Sequence, residues 1–283
     1  MVDPRLREEI ERLSQIEDGE RIIRLQMVQR INEERGCSRR EVELAALALG
    51  VVPWRYQRNV GTIGCEGQAR LLRATVAVVG LGGLGGYVVE ALARMGIGRL
   101  ILIDGDVFEE HNLNRQLLGT EARVGTSKAA AAVERVREVN CAVETIEHAT
   151  MLTRDNLPEL LAGADAVVDA LDRLPIRLVL QDGAQALGIP MVHGSIAGFL
   201  GQVMTILPGD RGLHALYGAG DDVPERGLEA QLGNPAATPM VVAAWEAQEV
   251  VKLLVQRGEL LRGRLLVIDM EAGASDVLRL GHC

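Results

Sequence analysis

The residues between Gly80 and Lys128 are more informative about chemistry than the rest of the chain. Gly80-Leu81-Gly82-Gly83-Leu84-Gly85 is a glycine turn, Asp104 closes a second apolar run, Asn112-Leu113-Asn114-Arg115-Gln116 follows, and Lys128 ends the series. A glycine turn between a strand and a helix lets backbone amides and a helix N-terminus approach a phosphate. A carboxylate roughly twenty residues further on can accept hydrogen bonds from a ribose. The chemistry implied is nucleotide binding, and the turn alone does not fix which nucleotide.

Lysine usage sharpens this. Of thirty basic residues only Lys128 and Lys252 are lysines. An ammonium is a compact point charge that can follow a phosphate as it moves, whereas a guanidinium demands a fixed planar geometry. Gly125-Thr126-Ser127 before Lys128 makes a helix entry of the kind that receives anions. That favours a phosphate role for Lys128, while Lys252 is read as an ordinary charge on an amphipathic helix.

Three further motifs accompany this set: Arg55-Tyr56-Gln57-Arg58-Asn59 upstream, and Asp169-Ala170-Leu171-Asp172 and Pro190-Met191-Val192-His193-Gly194 downstream. Taken in order, they resemble the HesA/MoeB/ThiF family, bacterial relatives of ubiquitin-activating enzymes, from about Trp54 to about Leu280. The resemblance implies an ATP- and magnesium-dependent adenylyltransferase. Its substrate would be the C-terminal glycine carboxylate of a small ubiquitin-like sulfur-carrier protein ending in Gly-Gly, of the kind serving molybdenum- or tungsten-cofactor or thiamine synthesis, and the enzyme would be a homodimer. By matching motif positions, Gly83 would lie under the phosphates and Asp104 would hold the ribose. Arg115 and Lys128 would contact the phosphates, Asp172 would hold magnesium, and Arg58 would reach the ATP of the partner subunit. Gly82, Asn112 and Gln116 join the nucleotide-contacting set. So does Arg173, which stands where the family usually has asparagine and would reposition the magnesium or add a phosphate contact.

These residue types suit the reaction without the family. A carboxylate attacking the α-phosphate brings negative charge toward negative charge, and pyrophosphate leaves with more of it. Fixed cations stabilise that charge electrostatically. Asp172 is a hard oxygen ligand suited to magnesium. Asp169 is read either as the N-cap of a helix over Arg173 to Leu187 or as a second ligand. Two other functions compete. Gly80-x-Gly82-x-x-Gly85 with Asp104 also fits an NAD-dependent oxidoreductase, which would have no use for Arg115, Lys128 and Asp172. A catalytically silent scaffold subunit of the same fold is the other.

A chain of 283 residues at 48% hydrophobic can bury a substantial core. Residues 1–52 are expected to be an N-terminal helical extension and residues 53–283 the ATP-binding adenylation domain. In the extension, Glu20 to Glu34 has apolar residues at helical spacing and Gly36 breaks it. Ser38-Arg39-Arg40-Glu41 is a capping box that starts a helix ending at Gly50. Residues 1–59 carry eleven charges of each sign, so the whole net charge of −9 lies beyond them. A helix-turn-helix is therefore a poorer reading than a dimer or partner contact, and nucleic-acid binding is not expected.

The larger part is expected to be α/β: a doubly wound, mostly parallel, Rossmann-like sheet. Its strands are Ala77–Val79, Leu100–Ile103, Ala166–Val168 and Met191–Val192, with Gly201–Leu207 and Arg264–Asp269 to follow. Leu84–Met95, Thr126–Val139 and Arg173–Leu187 are the intervening helices. A crossover loop spans about 209–238, and Pro239 opens a helix carrying Trp245 and Lys252.

No apolar run reaches membrane-spanning length and the start lacks a signal-peptide core, which points to the cytoplasm. Cys37, Cys65, Cys141 and Cys283 form no Cys-x-x-Cys pair, and Gly209 to Met240, where the family often carries a sulfur-handling cysteine, has none. The expectation is a zinc-free protein that stops at the acyl-adenylate. Cys283, on the terminal tail, is the one thiol held in reserve. The histidines are dispersed, and His111 is read as a loop residue.

Overall fold

A computed structural model describes residues 2–218 and 232–280. Its centre is set by three apolar runs, β4 (Thr75–Val79), β5 (Arg99–Ile103) and β7 (Ala166–Asp169), which are buried on both faces, the pattern of parallel strands covered by helices. Alternate residues of β4 serve different layers. Val76 and Val78 join the core under α5 (Gly83–Met95), α6 (Lys128–Val139) and α10 (Ala237–Val255), while Ala77 and Val79 join the core under α7 (Leu157–Leu160) and α8 (Leu174–Ala186).

With β6 (Glu144–His148), β8 (Met191–Ala197), β9 (Leu200–Ile206), β10 (Arg264–Asp269) and β11 (Ala274–Arg279), these strands form an eight-stranded sheet ordered β11-β10-β9-β8-β7-β4-β5-β6. The five strands from β8 to β6 are parallel, and β9, β10 and β11 add antiparallel. The expected strands and helices are all present within a few residues. The helix carrying Trp245 begins at Ala237, so Pro239 lies inside its first turn. A short helix α9 (His214–Tyr217) occupies part of the expected crossover loop, of which residues 219–231 lie outside the described residues.

The N-terminal segment builds its own apolar core from Ile10, Ile23, Val28, Ile31, Val42 and Val51, on α1 (Pro4–Leu13), α2 (Leu25–Arg35), α3 (Arg39–Ala48) and a small sheet. The capping box at Ser38 forms as read. The helix expected over Glu20 to Glu34 forms only from Leu25, as α2, and ends at Gly36 as read; Glu20–Ile23 is instead β2, paired with β1 (Gln15–Glu17) and β3 (Val52–Pro53). Asp18-Gly19, both at positive φ, turn the chain between β1 and β2, and the β-branched Ile22 and Ile23 pack in the strand. After a single 3-10 turn at Trp54–Tyr56, α4 (Gln57–Arg73) leads into β4 and is kinked at Gly64.

Candidate active site

Strand order sets the site. β5 and β6 lie on one side of β4, β7 and β8 on the other, so the chain leaving β4 and β7 opens a crevice at their C-terminal ends. Gly80 enters it at φ +89°, and a Cβ there would lie 2.6 Å from the Ala170 carbonyl oxygen, so glycine lets the loop after β4 pass against the loop after β7. A Cβ at Gly85 would collide with the Gly80 carbonyl, which starts α5 tight against its strand. The N-cap of α5, Gly82, supplies no side-chain hydrogen bond, leaving the first-turn amides uncapped at a position suited to an anion.

Asp104 closes the turn from the β5 side. Its Oδ2 accepts the Leu81 N–H at 2.7 Å and its Oδ1 the Asp106 N–H at 2.8 Å. Burial raises its pKa, against the Leu81 amide, the Lys128 charge and the Asp106 amide, which favour the ionised form. Lys128, buried at the start of α6, places Nζ 3.1 Å from Asp106 Oδ2, and Ser127 caps the same helix through the Ala130 N–H. The Arg115 stem lies 3.6 Å from where a Gly83 Cβ would stand, and its Nη1 donates to the His111 carbonyl and to Asn114 Oδ1. Gln116 is buried under Gly82, with Oε1 unpartnered. Asn112 is also buried, and its oxygen is spent on the loop, accepting the Glu109 N–H at 3.1 Å. His111 is exposed, sits in a 3-10 turn over Glu110–Asn112 and is paired with Glu109.

Gly82, Gly83, Asp104, Arg115, Gln116 and Lys128 thus surround one crevice. Asp172 is exposed, two residues beyond the Ala170 that touches Gly80, and the exposed Arg173 follows it as the N-cap of α8. Arg58 is not brought to them. It is exposed in the first turn of α4, and its neighbour Asn59 donates to the Met95 carbonyl at the far end of α5. At about 1.5 Å per residue, Met95 is roughly 18 Å along the axis from Gly83, beyond the reach of an arginine side chain.

Asp169 corrects the expectation. The N-cap of α8 is Arg173, and Asp169 is fully buried at the end of β7. Its Oδ2 lies 2.7 Å from His193 Nδ1 and its Oδ1 accepts the Leu171 N–H at 3.1 Å. Burial works against its charge, but Arg177 and His193 outweigh it and hold the carboxyl below its ordinary pKa. Burial lowers the pKa of His193 despite the Asp169 contact, and because a carboxylate only accepts, the contact calls for a proton on Nδ1. Glu246 on α10, also fully buried, is pushed well above the ordinary carboxylate range by burial and by the Asp169 charge.

Sequence reasoning assigned no role to Arg177, His193 or Glu246. A signal existed for two of them: Arg177 interrupts the apolar run Leu174 to Leu180, and Glu246 falls on the same helical stripe as the buried Val242, Ala243 and Val250. Of the cysteines, Cys37 and Cys65 are half-buried with thiol pKa values raised by burial, Cys141 is exposed beside Arg39, and Cys283 lies outside the described residues. No helix among the described residues is long and apolar enough to cross a membrane.

The ThiF family profile matches residues 56–282. The SAMP-activating enzyme E1 of Haloferax volcanii is 40% identical over 222 residues, covering 76% of this chain and 80% of that protein. The sulfur carrier protein adenylyltransferase of Thermus thermophilus is 38% identical over 226 residues, covering 76% and 82%. The adenylyltransferase and sulfurtransferase MOCS3 of Mus musculus is 37% identical over 230 residues, 80% of this chain but only 50% of that protein. Escherichia coli MccB crystallised with ATP shares the fold, with a TM-score of 0.70 at 24% identity over 81% of this chain and 72% of that one.

Proposed function

The chain belongs to the ThiF family, and from that premise we propose that it is an adenylyltransferase that uses ATP and magnesium to activate the C-terminal glycine carboxylate of a small ubiquitin-like sulfur carrier. The observation that carries this is the crevice at the β4–β7 switch point, where an uncapped helix N-terminus, the Asp104 carboxylate and two cations converge. The relatives from Haloferax and Thermus, matched over four fifths of their length, supply the substrate class. Family membership sets aside the nicotinamide oxidoreductase.

In the proposed reaction the triphosphate lies over Gly82 and Gly83, with Asp104 at the ribose. Arg115 and Lys128 neutralise charge on the phosphates as the carrier carboxylate attacks the α-phosphorus and pyrophosphate departs. Lys128 is ion-paired to Asp106, so phosphate binding would exchange one anionic partner for another. Among the described residues no three His, Cys, Asp or Glu side chains gather as a metal site. A magnesium ion would rest on Asp172 and on phosphate oxygens, the common mode for this ion, and would supply charge neutralisation.

A homodimer with Arg58 acting in the partner's crevice is part of the proposal. The separation between Arg58 and its own glycine turn supports it. So does the exposed apolar surface formed by Met240, Val241 and Trp245 on α10 with Phe199 and Leu200 at the β8–β9 turn, joined where Thr238 Oγ1 donates to the Gly198 carbonyl. The test is ATP–pyrophosphate exchange with purified protein and a Gly-Gly-ended carrier encoded beside its gene. Exchange should require magnesium and the free C-terminal glycine. A protein that binds the carrier and ATP yet catalyses no exchange would instead be the silent scaffold.

A further inference from the structure

Asp172 is an exposed loop residue, yet a metal ligand must be held in place. Behind the loop lie Asp169, Arg177, His193 and Glu246, all at least nine-tenths buried and drawn from β7, α8, β8 and α10. Such a cluster is expensive: Arg177 Nε, His193 Nε2 and both Glu246 carboxyl oxygens have no hydrogen-bond partner. The bonds the cluster does make converge on main chain. Arg177 Nη2 donates to the Leu171 carbonyl, and Nη1 donates to the Gly194 carbonyl at 3.3 Å, linking the loop after β7 to β8. Asp169, oriented by His193, takes the Leu171 N–H. The Glu246 carboxyl lies against the Gly194 Cα, so the Arg177 side of the cluster is walled by α10.

We propose that Arg177 and the Asp169–His193 pair are positioning residues that clamp Leu171 by its carbonyl and its N–H together and thereby set the direction of the next residue, Asp172. The proposal deepens the reading of Asp172 as the magnesium-holding carboxylate and rests on it. The Leu171 carbonyl belongs to the peptide bond that enters Asp172, so a guanidinium on that oxygen acts one residue from the ligand. Partners one shell behind a metal ligand typically matter by about ten- to a hundredfold in metal affinity. A fork with two N–H groups reaching two carbonyls cannot be replaced by a single ammonium.

Two readouts test this in the full-length protein. The first is hydrogen exchange of the amides in residues 170–173 without metal. The second is Mn²⁺ affinity, measured by electron paramagnetic resonance with a non-hydrolysable ATP analogue bound. Arg177→Lys and His193→Asn should each speed amide exchange in that loop and weaken Mn²⁺ binding by about tenfold. Metal-free AMP binding, which in the proposed reading rests on Asp104 and the glycine turn, should stay within about twofold of wild type, an effect under about 0.4 kcal/mol. The double variant should do little more than the worse single one, since both grips act on Leu171. If Arg177→Lys does not fold, as judged by near-ultraviolet circular dichroism, His193→Asn carries the test alone. Unchanged loop exchange in a folded variant overturns the clamp. Faster exchange with normal Mn²⁺ affinity in both the clamp variants and Asp172→Asn supports the clamp on Leu171 but overturns the metal role of Asp172.

Discussion

Two buried polar clusters lie near opposite ends of α5, and they are satisfied differently. One joins the N-terminal segment to the body: Tyr56 Oη donates to Glu43 Oε2 at 3.1 Å and accepts from Asn140 Nδ2 at 2.8 Å, while Arg55 donates to Asn140 Oδ1. None of its side-chain polar atoms is among the buried unpartnered ones of the described residues. The other, behind Leu171, leaves four atoms unpartnered. Each cluster stands next to one exposed charged residue of the proposed reaction, Arg58 two positions after Tyr56 and Asp172 one position after Leu171. The first resembles a structural joint, in which hydrogen bonds are completed. The second gives up hydrogen bonds to fix a loop, as local rules are commonly broken near a functional site.

The largest effect expected separates the two served residues. Arg58→Ala and Asp172→Ala should each lower pyrophosphate exchange by at least about two powers of ten, the scale of losing one electrostatic contact to transferring phosphate. Mixed in equal amounts and allowed to exchange subunits, the two inactive proteins should regain roughly a quarter of the sites, because only mixed dimers hold one site with its own Asp172 and the partner's Arg58. Recovery at that level assigns the Tyr56 joint to the neighbouring subunit's crevice and the Leu171 cluster to its own. No recovery in dimers verified as mixed breaks the comparison at its base, since Arg58 would then have no part in trans.

How much of this was legible in sequence follows from distance along the chain. The glycine turn, Asp104, Arg115 and Lys128 could be read because strand, turn and helix N-terminus are consecutive and each residue type follows from local chemistry. The buried parallel strands were legible as aliphatic runs. β6, an edge strand with no fully buried residue, and β11, exposed throughout, carry no such run and were missed. Asp169 was misread because its partner, His193, is twenty-four residues away on the adjacent strand. From Asp169-Ala170-Leu171-Asp172 alone, two carboxylates three apart look equivalent. Folding buries one and leaves the other in solvent. The β1–β2 hairpin did carry a signal in Asp18-Gly19, outweighed by the helical spacing of Ile22, Ile23 and Met27.

The next effect concerns the joint and pH. Burial raises the pKa of Glu43 from 4.5 to about 7, with Arg55 and the Tyr56 hydroxyl opposing it. A carboxyl raised in the folded state contributes its full stability below pH 4.5 and loses it as pH climbs through about 7. The gap corresponds to about 3 kcal/mol at alkaline pH. Glu43→Gln removes the titration and keeps an acceptor for Tyr56. In urea unfolding it should match wild type near pH 4 and become more stable than wild type by up to about 3 kcal/mol near pH 8. Parallel stability curves over that interval would mean the joint holds Glu43 ionised, as a salt bridge to Arg55 rather than as a hydrogen-bonded acid.

The smallest effect reverses sign between the clusters. Tyr56→Phe removes a hydroxyl that both donates and accepts, but Asn140 Nδ2 keeps a second bond to the Ala93 carbonyl, so the loss should be about 1–2 kcal/mol. Glu246→Met removes a fully buried carboxyl without hydrogen bonds and fills nearly the same volume, so it should stabilise the fold by about 1–2 kcal/mol in urea unfolding. Gain at Glu246 with loss at Tyr56 is what a completed joint and an incomplete functional cluster require. If Glu246→Met also destabilises, the acid is contributing to packing against Gly194, and the two clusters are both structural. If it stabilises while pyrophosphate exchange falls, then the carboxyl is retained for what it does to Arg177, whose charge it borders, at a stability cost set by the site and not by the core.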